Sequence, residues 1–303
     1  MRMDFQQYKE LENFIKSRQL VSGFVRMSEI NFGGSSYNFC VTTETGKFLL
    51  KLMKNETDYV HLQSVLDQLG IKGLPFQQHV WRQYFLLTMP FYAGHKLRYK
   101  DCSDEVLCRL WLVYADFLQK AEIMDRSLVL GEGYIAEKVR MVDQSMQNYH
   151  GLFKNVLQHY WKMLERDISA SERFFYKNVI HGDFTENNIL IDEEHNIHMI
   201  DFDFIRKGNV AQDLAGLSLQ LAGFRGLYGH IHHFKRLYAF FQKVHPLSYD
   251  DWLCGVRIFY LDIIRRRLNI CSKTVHSIRK KICLLLILYG YFRIKKFLHK
   301  QSI

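Results

Sequence analysis

Proline is scarce in this chain, with three among 303 residues, so no proline-rich linker divides it. Cysteine occurs six times, at Cys40, Cys102, Cys108, Cys254, Cys271 and Cys283, but never as a CxxC pair. That spacing argues against a zinc site or a disulfide frame. The six read as small core hydrophobes in a reducing compartment. An apolar run of the roughly 20 residues that a membrane-spanning helix needs is also missing. The longest run, residues 282–292, is bounded by Lys280 and Lys281 on one side and Arg293 on the other. It reads as a buried terminal helix, with a helix lying on a membrane surface as the other reading. The opening residues MRMDFQQYKELENF carry acids where a secretory signal needs an apolar stretch, so a cytoplasmic chain is expected. No internal repeat and no low-complexity segment is found.

Apolar residues make up 48% and aromatics 15% of the chain. That is enough for a sizeable core and excludes a disordered or fibrous protein. The 41 Lys and Arg outnumber the 31 Asp and Glu, for a net charge of +10. Residues 257–303 hold 12 of those bases and one acid, Asp262, a net of +11, so residues 1–256 hold 29 bases and 30 acids, a net of −1.

An amphipathic helix is expected at about 4–17. Runs rich in aromatic and branched residues follow at 24–32, 37–43 and 47–53, broken by Gly33 and Gly34 and by a TETG turn that reads as a hairpin. A helix at 56–69 and strands at 76–80 and 84–89 come next. From Asp101 onward helical periodicity dominates, interrupted by a β-rich island at 179–204. This order describes an α+β chain. A small antiparallel β lobe with one helix occupies 1–89, a connection spans 90–94, and a larger, mainly helical lobe covers 95–303.

The island reads VIHGDFTENNILIDEEHNIHMIDFDF. Asp183 follows His181 and Gly182, Asn188 stands five residues later, and Asp201 closes the second of two short apolar runs. A hairpin between those runs brings its ends together, so Asn188 and Asp201 can converge on one cation. Oxygen ligands of this kind suit Mg²⁺, which binds through one or two carboxylates plus substrate phosphates. Asp183, on the preceding loop, is placed to accept a proton from an incoming hydroxyl. Few other groups are needed, because phosphoryl transfer depends mainly on positioning and charge stabilisation. Asp192 and Asp203 read as solvated turn residues.

HGDxxxxN followed by a hydrophobic-Asp-Phe segment resembles the signature of the aminoglycoside phosphotransferase/choline kinase superfamily, which has a protein-kinase-like two-lobe fold. The resemblance implies an ATP- and Mg²⁺-dependent kinase. Asp183 would be its base, Asn188 and Asp201 its metal ligands, His181 a brace for the loop and Asp213 a supporting aspartate. In the first lobe Gly33, Gly34, Ser35 and Ser36 resemble the family's phosphate turn, where glycine lets the backbone approach. Lys51, alternating inside an apolar strand, resembles its nucleotide-phosphate lysine. The segment from Thr88 to Phe91, with Met89, resembles the hinge that holds adenine. The chain departs from the pattern where a glutamate on the following helix should pair with that lysine. His61 and Leu62 stand near that position, and Glu56 and Asp58 lie a turn or more earlier.

The resemblance also places the acceptor pocket in the helical lobe beyond Asp213, where only Asp250, Asp251 and Asp262 are acidic. Against them stand Arg265, Arg266 and Arg267 and further basic runs, which favours an anionic acceptor or surface: a phosphorylated sugar, a lipid-linked saccharide, an acidic polymer or a membrane touched peripherally. A solvated basic helix face is the plainer reading. Charge alone, without base-reading or stacking motifs, does not suggest nucleic acid. The cluster of His230, His232 and His233 lacks a further ligand and reads as a surface helix. The expected partners are therefore a nucleotide and a hydroxyl-bearing small molecule or saccharide. The alternative is a kinase-like assembly protein, as the resemblance extends to a spore-coat branch.

Overall fold

The computed structural model describes residues 3–18, 22–30, 37–73, 80–129, 133–147, 152–225, 229–272 and 278–301. The chain forms two compact units, Met1–Gly94 and His95–Ile303.

The first unit opens with helix α1 (Phe5–Ser17), whose N-terminus Asp4 caps by accepting from the Gln7 N–H at 2.7 Å. Strands β1 (Phe24–Glu29), β2 (Tyr37–Thr43) and β3 (Lys47–Met53) follow, then helix α2 (Glu56–Gln68), then β4 (Val80–Trp81) and β5 (Tyr84–Pro90). They form one antiparallel sheet in the order β1-β2-β3-β5-β4. The β2–β3 hairpin closes as its sequence suggests, with the Thr43 N–H donating to the Gly46 carbonyl at 2.8 Å. Leu11 and Ile15 of α1 are fully buried in one cluster with Phe39, Val41, Leu50 and Leu86 of the sheet. Tyr8 donates to the Met27 carbonyl, and Glu10 pairs with Arg82. The opening helix is thus part of the lobe's core, beside the one helix expected between its strands. Of the strand expected at 76–80, only Val80 lies within the described residues, as the first residue of β4.

The second unit begins with β6 (His95–Lys96), helices α3 (Asp104–Glu122), α4 (Tyr134–Gln147) and α5 (Leu152–Ser169), and strand β7 (Asn178–Ile180). Strands β8 (Ile189–Ile191), β9 (Ile197–Met199) and β10 (Arg206–Gly208) come next. Helices α6 (Val210–Leu221), α7 (Ile231–Val244), α8 (Tyr249–Ser272) and α9 (Ile278–Gln301) complete it. The expected β island therefore becomes two small sheets, β6-β8-β9 and β10-β7, with β10 extending it past residue 204. Every residue of α6 is buried. Helix α8 lies against it so closely that a Cβ on Gly255 would meet the Ala211 carbonyl oxygen at 2.0 Å.

The apolar run near the C-terminus forms one stripe of α9. Leu284, Ile287, Leu288, Tyr291, Ile294 and Leu298 are each at most 2% exposed, and α9 packs on α8. The buried terminal helix is therefore the reading the structure supports. No helix among the described residues is long and apolar enough to cross a membrane. Cys40, Cys102 and Cys254 are buried free thiols, and burial pushes the last two up to about 12. Cys108 differs from its reading as a core residue. It faces solvent on α3, because the apolar stripe of that helix runs through Leu107, Leu110, Tyr114 and Phe117 instead.

Candidate active site

Strand β7 ends at Ile180, and the chain turns through His181, Gly182 and Asp183. Gly182 has φ +79°, and a Cβ there would meet the Phe204 carbonyl oxygen at 2.1 Å and Arg206 Nη1 at 2.2 Å. Only glycine satisfies both conditions. The turn is pinned from below by Asp213, in the first turn of α6. Its carboxylate accepts from the N–H of His181 at 2.9 Å, the N–H of Gly182 at 3.2 Å and the Tyr114 hydroxyl at 2.9 Å. Burial pushes the Asp213 carboxyl up, while His181, Arg206 and these donors oppose the shift. The Tyr114 ring stacks on Phe184 at 4.3 Å, holding the residue after Asp183 as well.

Arg206 pins the loop from the other side. It is 3% exposed, donates to the Gly182 carbonyl at 2.6 Å and to Gln212 Oε1 at 3.2 Å, and lies over the Tyr134 ring at 4.5 Å. His181 is completely buried. Its Nε2 bonds the Ile200 carbonyl at 3.1 Å and its Nδ1 accepts from the Asp183 N–H at 3.4 Å. Burial lowers its pKa, and this bonding pattern belongs to a neutral imidazole with the proton on Nε2.

Asp183 Oδ2 accepts from Asn188 Nδ2 at 2.9 Å, and the same amide nitrogen donates to the Asp183 carbonyl at 2.9 Å. Asp183 Oδ1 stands 4.0 Å from Arg266 Nη2. The Ile200 N–H donates to the Asn188 carbonyl at 3.0 Å, next to the Ile189–Met199 rung of the β8–β9 hairpin. That bond sets Asn188 and Asp201 at the same end of the hairpin. Asp201 is left-handed (φ 66°, ψ 67°), a conformation Asp adopts more readily than most residues. With Nδ2 engaged by Asp183, Asn188 keeps Oδ1 for a ligand. An amide oxygen and a carboxylate at one hairpin end form a hard donor pair of the type Mg²⁺ takes.

A cavity of about 330 Å³ opens beside this loop, and its lining includes Asp183, Gln220, Arg225, Asp262, Arg266 and Arg267. Asp262 is neutralised by Lys138, a buried lysine whose pKa burial lowers to about 8. Reading the sequence missed Tyr114, Arg206, Gln220 and Arg225. Strand β10 reads Arg-Lys-Gly, so unlike Lys51 in its apolar strand Arg206 carried no local signal.

In the first unit Lys51 lies on β3 opposite Asn38 and Leu87, and is 6% exposed. Met89 lies on β5 opposite Leu49, also buried. Gly33, Gly34, Ser35 and Ser36 fall outside the described residues. Helix α2 buries Tyr59, Leu62, Val65 and Leu66, with His61 half-buried beside Leu62, so neither residue near the expected glutamate position is acidic. Glu56 and Asp58 are exposed in its first turn, where they complement the positive helix end. The histidine cluster stands at the start of α7, where His233 stacks on Tyr99 with centroids 3.5 Å apart. No three His, Cys, Asp or Glu side chains gather as a metal-holding group among the described residues.

The profile of the APH phosphotransferase enzyme family matches residues 26–238. That is more than half of the chain, and the chain belongs to this family. Among solved structures it is similar to an aminoglycoside phosphotransferase from Alicyclobacillus acidocaldarius, at 13% identity and TM-score 0.67, covering 96% of each chain. It is similar also to the choline kinase LicA from Streptococcus pneumoniae, at 11% identity and TM-score 0.62, covering 94% of this chain and 100% of that one. A third is a spectinomycin phosphotransferase in complex with ADP and spectinomycin, at 14% identity and TM-score 0.61, covering 96% and 99%. These likenesses establish the kinase-like fold. No curated protein matches the chain in sequence.

Proposed function

We propose that the protein is an ATP- and Mg²⁺-dependent phosphotransferase acting on a hydroxyl of a small molecule or saccharide. The observation that carries this reading is Asp183. Its carboxylate lines a cavity, is oriented by Asn188 at 2.9 Å, and sits on a turn fixed by Asp213 and Arg206. One carboxylate oxygen is thereby held, and the other faces the space an acceptor would enter. Asp183 takes the proton of the acceptor hydroxyl as its oxygen bonds the γ-phosphorus of ATP. The bond from that phosphorus to the β–γ bridging oxygen breaks, and ADP leaves with the bridging oxygen and its electron pair. Asn188 and Asp201 would hold the magnesium ion, which supplies charge neutralisation for the phosphates.

Lys51 and the turn of Gly33, Gly34, Ser35 and Ser36 are assigned to the ATP phosphates, and Met89 to the adenine. The ADP bound to the spectinomycin phosphotransferase supports nucleotide use. His181 and Asp213 position the loop and touch no substrate.

The test is Asp183→Ala, assayed for phosphate transfer from ATP across sugars, amines and phosphorylated sugars. Turnover should fall by about 10²–10⁴, with ATP–Mg²⁺ still raising the melting temperature of the variant. Unchanged turnover overturns the role of Asp183. Absence of both transfer and ATP stabilisation in the wild type supports the assembly role instead.

A further inference from the structure

Three arginines face the same cavity with little to balance them. Arg206 is engaged by Gly182, Gln212 and the Tyr134 ring. Asp213 is engaged by its donors, and Asp262 by Lys138. Arg225, Arg266 and Arg267 remain, against the carboxylate of Asp183 in the lining, with Glu186 and Asp262 acting on Arg225 from beyond ion-pair distance. Arg267 spends one nitrogen on the Arg225 carbonyl at 3.1 Å, which ties two of these residues together. Among the described residues Arg225 and Arg267 have no carboxylate within ion-pair distance, and Arg266 reaches Asp183 only at 4.0 Å. Arg225 and Arg267 are half-buried and the Arg266 side chain is 54% exposed at the cavity mouth, and crowding like charges there is unfavourable unless an anion joins them.

Two further observations point to a ligand. Gln220 lines the cavity at 7% exposure, and its Oε1 has no hydrogen-bond partner among the described residues. A buried acceptor left open costs stability, so it is expected to meet a donor such as a hydroxyl. Gly216, one turn earlier on α6, also lines the cavity, and a Cβ there would meet nothing within 4 Å.

We propose that the acceptor carries a phosphate group, gripped by Arg225, Arg266 and Arg267, while Gln220 accepts from one of its hydroxyls. This rests on the phosphotransferase reading and names the substrate class of that site: a phosphorylated polyol or saccharide, free or attached to a lipid. A planar guanidinium matches phosphate oxygens in pairs, and several guanidinium groups suit a dianion better than a carboxylate.

The experiment uses the full chain saturated with ADP and Mg²⁺ and titrates inorganic phosphate and glucose 6-phosphate by calorimetry. Transfer from ATP is measured in parallel to glucose 6-phosphate, glucuronate, glucose and choline, and to a phosphorylated lipid-linked saccharide in detergent. Binding of both phosphate probes is expected. Arg266→Met should weaken it about tenfold or more with an unchanged melting temperature. Gly216→Leu, filling the open space, should abolish glucose 6-phosphate binding. Transfer to a phosphorylated acceptor should exceed that to its neutral parent about tenfold, and whichever of the free and lipid-linked forms is phosphorylated identifies the source. Absence of phosphate binding, or binding indifferent to Arg266→Met and Gly216→Leu, overturns the proposal. Transfer confined to glucose, glucuronate or choline overturns it too, while leaving the phosphotransferase reading intact. Phosphate binding that obeys these variants with no transfer to any acceptor does the reverse.

Discussion

Between His181 and Asn188 the polar groups that shape the turn have partners inside the protein: backbone N–H groups on Asp213, the Gly182 carbonyl on Arg206, the imidazole on Ile200, the Asn188 amide on Asp183. Across the cavity, at the end of α6 and along α8, Gln220, Arg225 and Arg266 have few or none. The first surface is finished by folding, and the second is the one that the proposed anionic acceptor would complete. The difference teaches where rigidity and where specificity reside. Groups that must keep one geometry through a reaction are tied down by their neighbours, and groups that must recognise a ligand keep bonding capacity in reserve.

The largest effect should come from cutting the finished side. Asp213→Ala leaves two backbone N–H groups and the Tyr114 hydroxyl without their acceptor, and is expected to cost about 3–5 kcal/mol in urea unfolding. A loss below about 1 kcal/mol would mean the loop is held by something else. Gly182→Ala comes next. It forces a Cβ onto the Phe204 carbonyl at positive φ, so about 1–3 kcal/mol of destabilisation should accompany a fall in transfer. A variant that keeps wild-type transfer breaks the link between turn shape and chemistry.

The pH dependence is smaller and has a definite sign. Burial lowers the His181 pKa below the ordinary 6.5. Below that pH the unfolded chain takes up a proton that the folded chain refuses, so stability present above pH 6.5 is lost as pH falls through the folded value. Melting temperatures of the wild type should drop over that range more steeply than those of His181→Gln, and parallel curves would refute the neutral buried imidazole. Smallest of all is the stability change on the unfinished side: Arg266→Met should move the unfolding free energy by no more than about 0.5 kcal/mol. A larger loss would show that Arg266 braces the loop like Arg206, and the contrast between the two surfaces would fail there.

The parts of the site legible in the sequence are those whose chemistry needs neighbours along the chain. Asp183 and Asn188 share one loop and bond each other, and a short hairpin sets Asp201 at the same end as Asn188, so spacing along the chain was enough to point to them. Arg206, Tyr114 and Gln220 reach the same place through tertiary contact, from β10, α3 and α6, and no local pattern marks that. The fold was legible for a similar reason. The β2–β3 hairpin has its turn signal, and the apolar stripe of α9 follows helical spacing. Cys108 shows the limit, because its exposure depends on which stripe of α3 the neighbouring elements cover. The excess of positive charge divides in the same way. Composition located it in the last residues of the chain, but only packing separates Arg266 and Arg267, which line the cavity, from Lys295, which pairs with Asp167 at 2.5 Å on the far end of α9.

The close approach of α8 to α6 at Gly255 makes α8 a lever. Arg266 stands three helical turns, about 16 Å, beyond that contact. A tilt of about 5° at the fulcrum therefore carries the arginine's anchor through about 1.4 Å, well beyond the range of about 0.5 Å over which a hydrogen bond keeps its length. The reach of the cavity's charged wall is thus set at a helix crossing outside the cavity lining, and under the proposed function changes there would shift acceptor preference while the turn at 181–183 stays as it is.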